Sequence, residues 1–176
     1  MKTSIPVDFG IIPMRLRNQN RNIMKIVNIK DPNEKRTIAR TVLEGLTEWF
    51  EVEESREGYI RDCADLTFLA AMDEDRAVGF LCLKETGNAT VELAVMGVMK
   101  EYHRNGAGRQ LVEKAKETAK AEGYEFMQVK TVKMGMYEDY DRTNLFYISC
   151  GFRELEVFPL LWDEANPCQI YVMSLK

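Results

Sequence analysis

The chain has 176 residues, 45% hydrophobic, 10% aromatic and 30% charged, with a formal net charge of -4. That length buries a core without disulfide or metal staples, and the acidic balance excludes nucleic-acid binding through a generally positive surface. Four scattered cysteines (Cys63, Cys82, Cys150, Cys168) with no CxxC spacing and one histidine, His103, offer no metal-ligand set. No apolar run approaches a membrane span, so neither nucleic acid nor membrane is expected as a partner. Scattered thiols in a chain without an export signal predict a reducing, cytoplasmic setting.

Residues 1–23 are rich in basic and amide side chains and lack the continuous apolar run of a secretory signal. They predict a poorly packed extension before a single domain over 24–176. Residues 24–30, MKIVNIK, alternate apolar and polar and predict a strand. The stretch DPNEKRTIARTVLEGLTEWF opens on an Asp-Pro turn. Its Ile38, Val42, Leu46 and Trp49 recur at helical spacing, which predicts a helix to about Phe50. EESREGYIRDCADL predicts a shorter helix, and TFLAAMDEDRAVGFLCLKE two strands around an Asp-Glu-Asp-Arg turn.

A further strand, GNATVELAVMGVM, leads to a turn with Gly106 and Gly108 and then a helix from about Arg109 to Glu122. Leu111, Val112, Ala115 and Ala119 form its apolar stripe, and Gly123 closes it. YEFMQVKTV is the next strand and YDRTNLFYISCGF a short helix. RELEVF and QIYVMSL close the chain as strands around a loop containing LWDEANP. The order β-α-α-β-β-β-α-β-α-β-β predicts an α+β fold, a mixed sheet with helices on its faces.

Two glycines where a helix nucleates invite an explanation, since Gly is the poorest ordinary helix former. A Gly-rich turn between strand and helix leaves main-chain N–H groups free at the positive end of the helix dipole, which suits phosphate oxygens. A plain capping role explains an isolated pair equally well. Three known phosphate loops fail on spacing. Gly108 is followed by RQL, not Lys-Ser/Thr; Leu111 fills the place of the third dinucleotide glycine; and a kinase loop joins two strands.

HRNGAG, residues 103–108, resembles motif A of the GNAT family of N-acetyltransferases, Gln/Arg-x-x-Gly-x-Gly/Ala, with His103 at the first position. Downstream, NLFYISCGF resembles the family's A-x-x-F/L-Y-x-x-x-G-F helix. The order of elements over 24–176 fits as well, and FPLLWDEANPCQIYVM is similar to a bacterial subgroup. The resemblance implies a mostly antiparallel sheet of about seven strands, splayed between the fourth and fifth, with about four helices. It implies acetyl-coenzyme A as co-substrate, a primary amine of a small molecule or peptide as acceptor, and direct transfer in a ternary complex. It also admits a non-catalytic acyl-coenzyme A sensor, and by analogy a homodimer through the closing strands.

Within that resemblance the main chain of Met96 and Val98 pairs with the pantetheine arm. His103, Arg104, Asn105, Gly106, Ala107, Gly108 and Arg109 take the phosphates, Arg104 and Arg109 being otherwise ordinary solvated cations. Asn144 corresponds to a cofactor-contacting Asn. Glu92 is a charge amid Thr-Val-Glu-Leu-Ala-Val and shares strand parity with Met96 and Val98 if no bulge intervenes. It is a candidate base, or an outward solvated carboxylate. Tyr147 matches the general-acid tyrosine and falls on one helix face with Tyr140 and Asn144, away from Leu145 and Ile148; the alternative is a packed aromatic.

Overall fold

The computed structural model describes residues 24–176, so the expected extension at 1–23 lies outside the described residues. Strand β1, Lys25–Ile29, leads to helix α1, Pro32–Glu44. The Asp31 side chain accepts from the N–H groups of Asn33 and Glu34, and Pro32 stands at the first helical position, where no N–H is needed. The helix stops at Glu44, short of the expected Phe50. Gly45 is its C-cap, and the following residues form turns in which Trp49 and Phe50 donate to the Leu46 carbonyl. Leu46 stays buried, so the apolar spacing runs on through a segment that is no longer helix.

Helix α2, Glu53–Asp62, and a 3-10 turn at Cys63–Asp65 precede the hairpin of β2, Thr67–Asp73, and β3, Arg76–Gly87. Strand β4, Thr90–Val98, is followed by a 3-10 turn at Lys100–Tyr102 and helix α3, Ala107–Ala121, which begins two residues before the expected Arg109. Strand β5 spans Phe126–Val132, helix α4 Glu138–Ser149, β6 Arg153–Asp163 and β7 Asn166–Ser174. Most of the loop expected over LWDEANP is strand instead. The Asp163 carboxylate accepts from the N–H groups of Ala165 and Asn166 and turns the hairpin in two residues.

The seven strands lie in the order β1-β2-β3-β4-β5-β7-β6, antiparallel except for the parallel pair β4–β5. This is the mixed, mostly antiparallel α+β sheet with four helices that the sequence predicts. Helices α3 and α4 cover one face. Leu111, Val112, Ala115 and Ala119 pack there on Val91, Leu93, Val129 and Tyr171. Helix α1 and Ile60 of α2 cover the other, where Val42 and Leu43 meet Phe68, Phe80 and Val95. Each buried Val, Leu or Phe side chain among them contributes about 1.5–3 kcal/mol through burial. All four cysteines are buried and unpaired. No described helix is long and apolar enough to cross a membrane.

Candidate active site

Strands β4 and β5 pair only over Thr90–Leu93 and Phe126–Val129, then part. At that point β4 carries a bulge: Leu93 lies opposite Leu83 and Val95 opposite Cys82, which leaves Ala94 unmatched. The Met99 N–H donates to Val78 of β3. Alternation along the strand therefore sends the N–H groups of Met96 and Val98 the other way, into the gap left by β5. The Val98 carbonyl, on the same side, accepts from His103 Nε2 at 2.7 Å, and the His103 ring stands edge-on to Trp49.

The end of the gap meets the turn before α3. Arg104 has φ of 61° and Gly106 φ of 87°, a left-handed conformation that costs a residue with a Cβ about 1–2 kcal/mol. No side chain among the described residues caps α3. Among the described residues, the N–H groups of Arg104, Gly106, Ala107, Gly108 and Arg109 have no acceptor. Gly108 has a packing reason of its own, since a Cβ there would sit 3.2 Å from the Phe146 ring of α4. A packing role for Gly108 and a set of free N–H groups thus coexist in this turn. Arg109 is committed elsewhere: its guanidinium donates to the carbonyl and the hydroxyl of Ser149, both at 3.2 Å, and ties α3 to the end of α4. Arg104 and Asn105 are exposed at the turn.

Helix α4 buries two side chains, Asn144 and Tyr147, while Leu145 is exposed. The expectation that Tyr147 stands apart from the apolar core is thus corrected. Its ring packs among core residues, 5.8 Å from Phe152 and 5.6 Å from Phe146. Its hydroxyl has no hydrogen-bond partner among the described residues, and burial, with smaller contributions from Cys150, Tyr140 and Tyr59, pushes the phenol well above its ordinary pKa. Asn144 is fully enclosed. Its amide donates to the Val132 and Tyr140 carbonyls, and its oxygen accepts from the Tyr171 hydroxyl at 2.7 Å. With no exposed surface and both N–H donors committed, Asn144 presents no free donor to a coenzyme.

Glu92 precedes the bulge, and the shared parity expected for it fails there. Val91 and Leu93 enter the α3 core, so Glu92 faces the α1–α2 side, whereas Met96, beyond the bulge, packs on the α3 side. The carboxylate is 13% exposed and lies 2.5 Å from Lys130 Nζ, with Gln128 Nε2 at 3.4 Å. Sequence reasoning missed Lys130, although the polar alternation of Gln128 and Lys130 within MQVKTV was its signal. It missed Tyr59 too, whose phenol burial raises, and the Glu92 charge raises further. Tyr59 stands edge-on to Phe50, and the Tyr140 hydroxyl donates to the Trp49 carbonyl at 3.0 Å, joining α4 to the segment after α1. Two hollows of about 320 and 330 Å³ flank α3, one beside Ile26 of β1 and one beside Ser174, Leu175 and Lys176, and no splay residue lines either.

A model of the Acetyltransferase (GNAT) family matches residues 36–152. The uncharacterized N-acetyltransferase YsnE of Bacillus subtilis is 28% identical over 102 residues, 58% of this chain and 66% of that protein, so the match spans just under two thirds of the relative. Among solved structures, a GNAT-family acetyltransferase from Desulfovibrio desulfuricans aligns with a TM-score of 0.76 at 18% identity, over 87% of this chain and 99% of the other. An aminoglycoside 6'-N-acetyltransferase complexed with coenzyme A aligns at 0.70 and 18%, over 87% and 98%. At these identities the structural likeness is one of fold.

Proposed function

Because the chain belongs to the GNAT acetyltransferase family, we propose that it moves an acetyl group from acetyl-coenzyme A to a primary amine of a small molecule or peptide, by direct attack in a ternary complex. The observation that carries this reading is the parting of β4 from β5, with unpaired N–H groups along the gap and five more at its end. The pantetheine amides add to the open edge of β4 as an extra strand would. The diphosphate takes the N–H groups between Arg104 and Arg109, reinforced by the helix dipole. The Val98 N–H polarises the thioester carbonyl. Asn144 serves by holding α4 in place.

The acceptor nitrogen attacks the thioester carbon, the C–S bond breaks, a proton passes from the nitrogen to Glu92 and Tyr147 protonates the departing sulfur. Titration calorimetry with coenzyme A tests the first premise. Saturable heat is expected, together with thiol release from the acetylated coenzyme in the presence of an acceptor. Gly106→Val, which forces a β-branched residue to φ of 87°, is expected to weaken coenzyme binding roughly tenfold by turning the N–H groups away. No heat from the unaltered protein rejects the reading.

Glu92→Gln is expected to lower kcat/KM about a hundredfold while coenzyme binding is kept. Unaltered kcat/KM removes Glu92 from the mechanism. The second reading, a sensor that retains the coenzyme without turnover, draws support from Lys130, which occupies the carboxylate the base role requires. Coenzyme heat without thiol release on any amine would select it. A homodimer through the closing strands would use β6, an edge strand that exposes Leu155, Leu160, Leu161 and Trp162.

A further inference from the structure

We propose that the acceptor is a zwitterion, an amine that also bears a carboxylate, with Glu92 holding its ammonium and Lys130 its carboxylate. This rests on the acetyltransferase reading above.

Glu92 lies opposite Gln128 on a paired rung of β4–β5, and Lys130 lies two residues further along β5, past the last pairing with β4. With no strand among the described residues beside it on that edge, the Lys130 side chain reaches back to the carboxylate at 2.5 Å. Glu92 is 13% and Lys130 27% exposed, so neither charge is freely solvated, yet Lys130 retains a route to water. Both side chains face the α1–α2 side of the sheet, where the Tyr59 phenol lies within the field of Glu92 and Phe50 stands edge-on to it. The result is a compact dipole against an aromatic wall.

A closed ion pair exerts little pull on a simple cation. For a plain amine to reach Glu92 it must evict Lys130. Two cations then crowd one carboxylate, and Lys130 is left without a partner in a half-buried site. A zwitterion inserted between the two avoids both penalties. Its ammonium replaces Lys130 on Glu92, its carboxylate receives Lys130, and every charge keeps a charge-assisted hydrogen bond. The lysine stem has the rotamer freedom to move by the width of such a ligand.

The same pair gives a reason for the product to leave. Transfer forms the N–C bond and breaks the C–S bond; of the two protons the ammonium loses, one passes by way of Glu92 to solvent and the other makes good the proton that Tyr147 gives to the sulfur, which leaves as a thiol. The product nitrogen is then a neutral amide that no longer satisfies Glu92. Lys130 returns to the carboxylate, and the product loses its anchor.

The test is a thiol-release assay at saturating acetyl-coenzyme A on matched acceptors: phenylalanine against phenethylamine, arginine against agmatine, and lysine against cadaverine. In pairs that react, the carboxylated member is expected to have the larger kcat/KM, by about tenfold to a hundredfold, from the loss incurred when a site's polar group is left unpaired. Lys130→Gln should collapse that ratio to about one, mainly through KM for the carboxylated member, and Lys130→Arg should restore part of it. Equal use of both members by the unaltered protein, a ratio unmoved by Lys130→Gln, or no turnover of any pair would each overturn the inference. Coenzyme calorimetry on the same samples separates the two levels. Without heat from the unaltered protein the acetyltransferase reading itself fails; with normal heat and no carboxylate preference, only the zwitterion inference fails.

Discussion

Tyr147→Phe is expected to lower kcat about a hundredfold or more while coenzyme affinity is nearly unchanged, the signature of a proton donor that acts only as the thiolate leaves. The substitution removes one oxygen and no packing. The ring is already fixed edge-on to Phe152 and against Phe146, and Phe makes the same contacts. Its phenol is held well above the ordinary range, chiefly by burial. It therefore stays protonated at neutral pH and is ready to donate without imposing a basic limit of its own on the rate. Because the hydroxyl has no partner within the described protein, its loss leaves no orphaned group, and the melting temperature is expected to hold. Steady-state thiol release and coenzyme calorimetry on the same variant check both halves; unchanged kcat rejects the acid role.

The second large effect is on stability. Asn144→Leu keeps the volume but removes three hydrogen bonds from a fully buried position. The Tyr171 hydroxyl loses its acceptor in a residue with no exposure, and the Val132 carbonyl loses a donor. Unsatisfied groups of this kind cost about 1–3 kcal/mol each, so a loss of about 3 kcal/mol is expected. For a chain of this size that corresponds to a fall in Tm of roughly 6–12 °C. Pairing the change with Tyr171→Phe removes one orphan, so the double variant should lose less than the sum of the two single changes. Additive losses would show that the amide and the phenol do not act as a unit. Helix α4 is pinned to β5 and β7 through this one side chain, and Tyr147 sits three residues further along.

Much of the fold was legible because its signals are local. The alternation in MKIVNIK, the Asp-Pro start of α1, and Gly123 and Gly151, both with positive φ, each act within a few residues. The glycine turn ahead of α3 was legible for the same reason. The end of α1 was not, because Leu46 remains buried in a turn and continues the helical spacing. Strand β6 was half missed because it is exposed along nearly its whole length and shows no inward alternation to read. The bulge at Ala94 was invisible: a small residue amid V-E-L-A-V fits either parity, and only the register against β3 reveals it. Glu92 was legible as an oddity within an apolar strand, but its partner came from another strand, and no local pattern assigns a cross-strand pair.

The extra residue at Ala94 makes one strand serve two masters. Upstream of it, Glu92 addresses whatever approaches from the α1–α2 side; downstream, Met96 and Val98 address the opposite side and the open edge. Under the proposed acetyl transfer, substitutions in the first half would therefore retune which nucleophile is admitted without disturbing how the donor is gripped. A deletion at position 94 would merge the two addresses and abolish that independence.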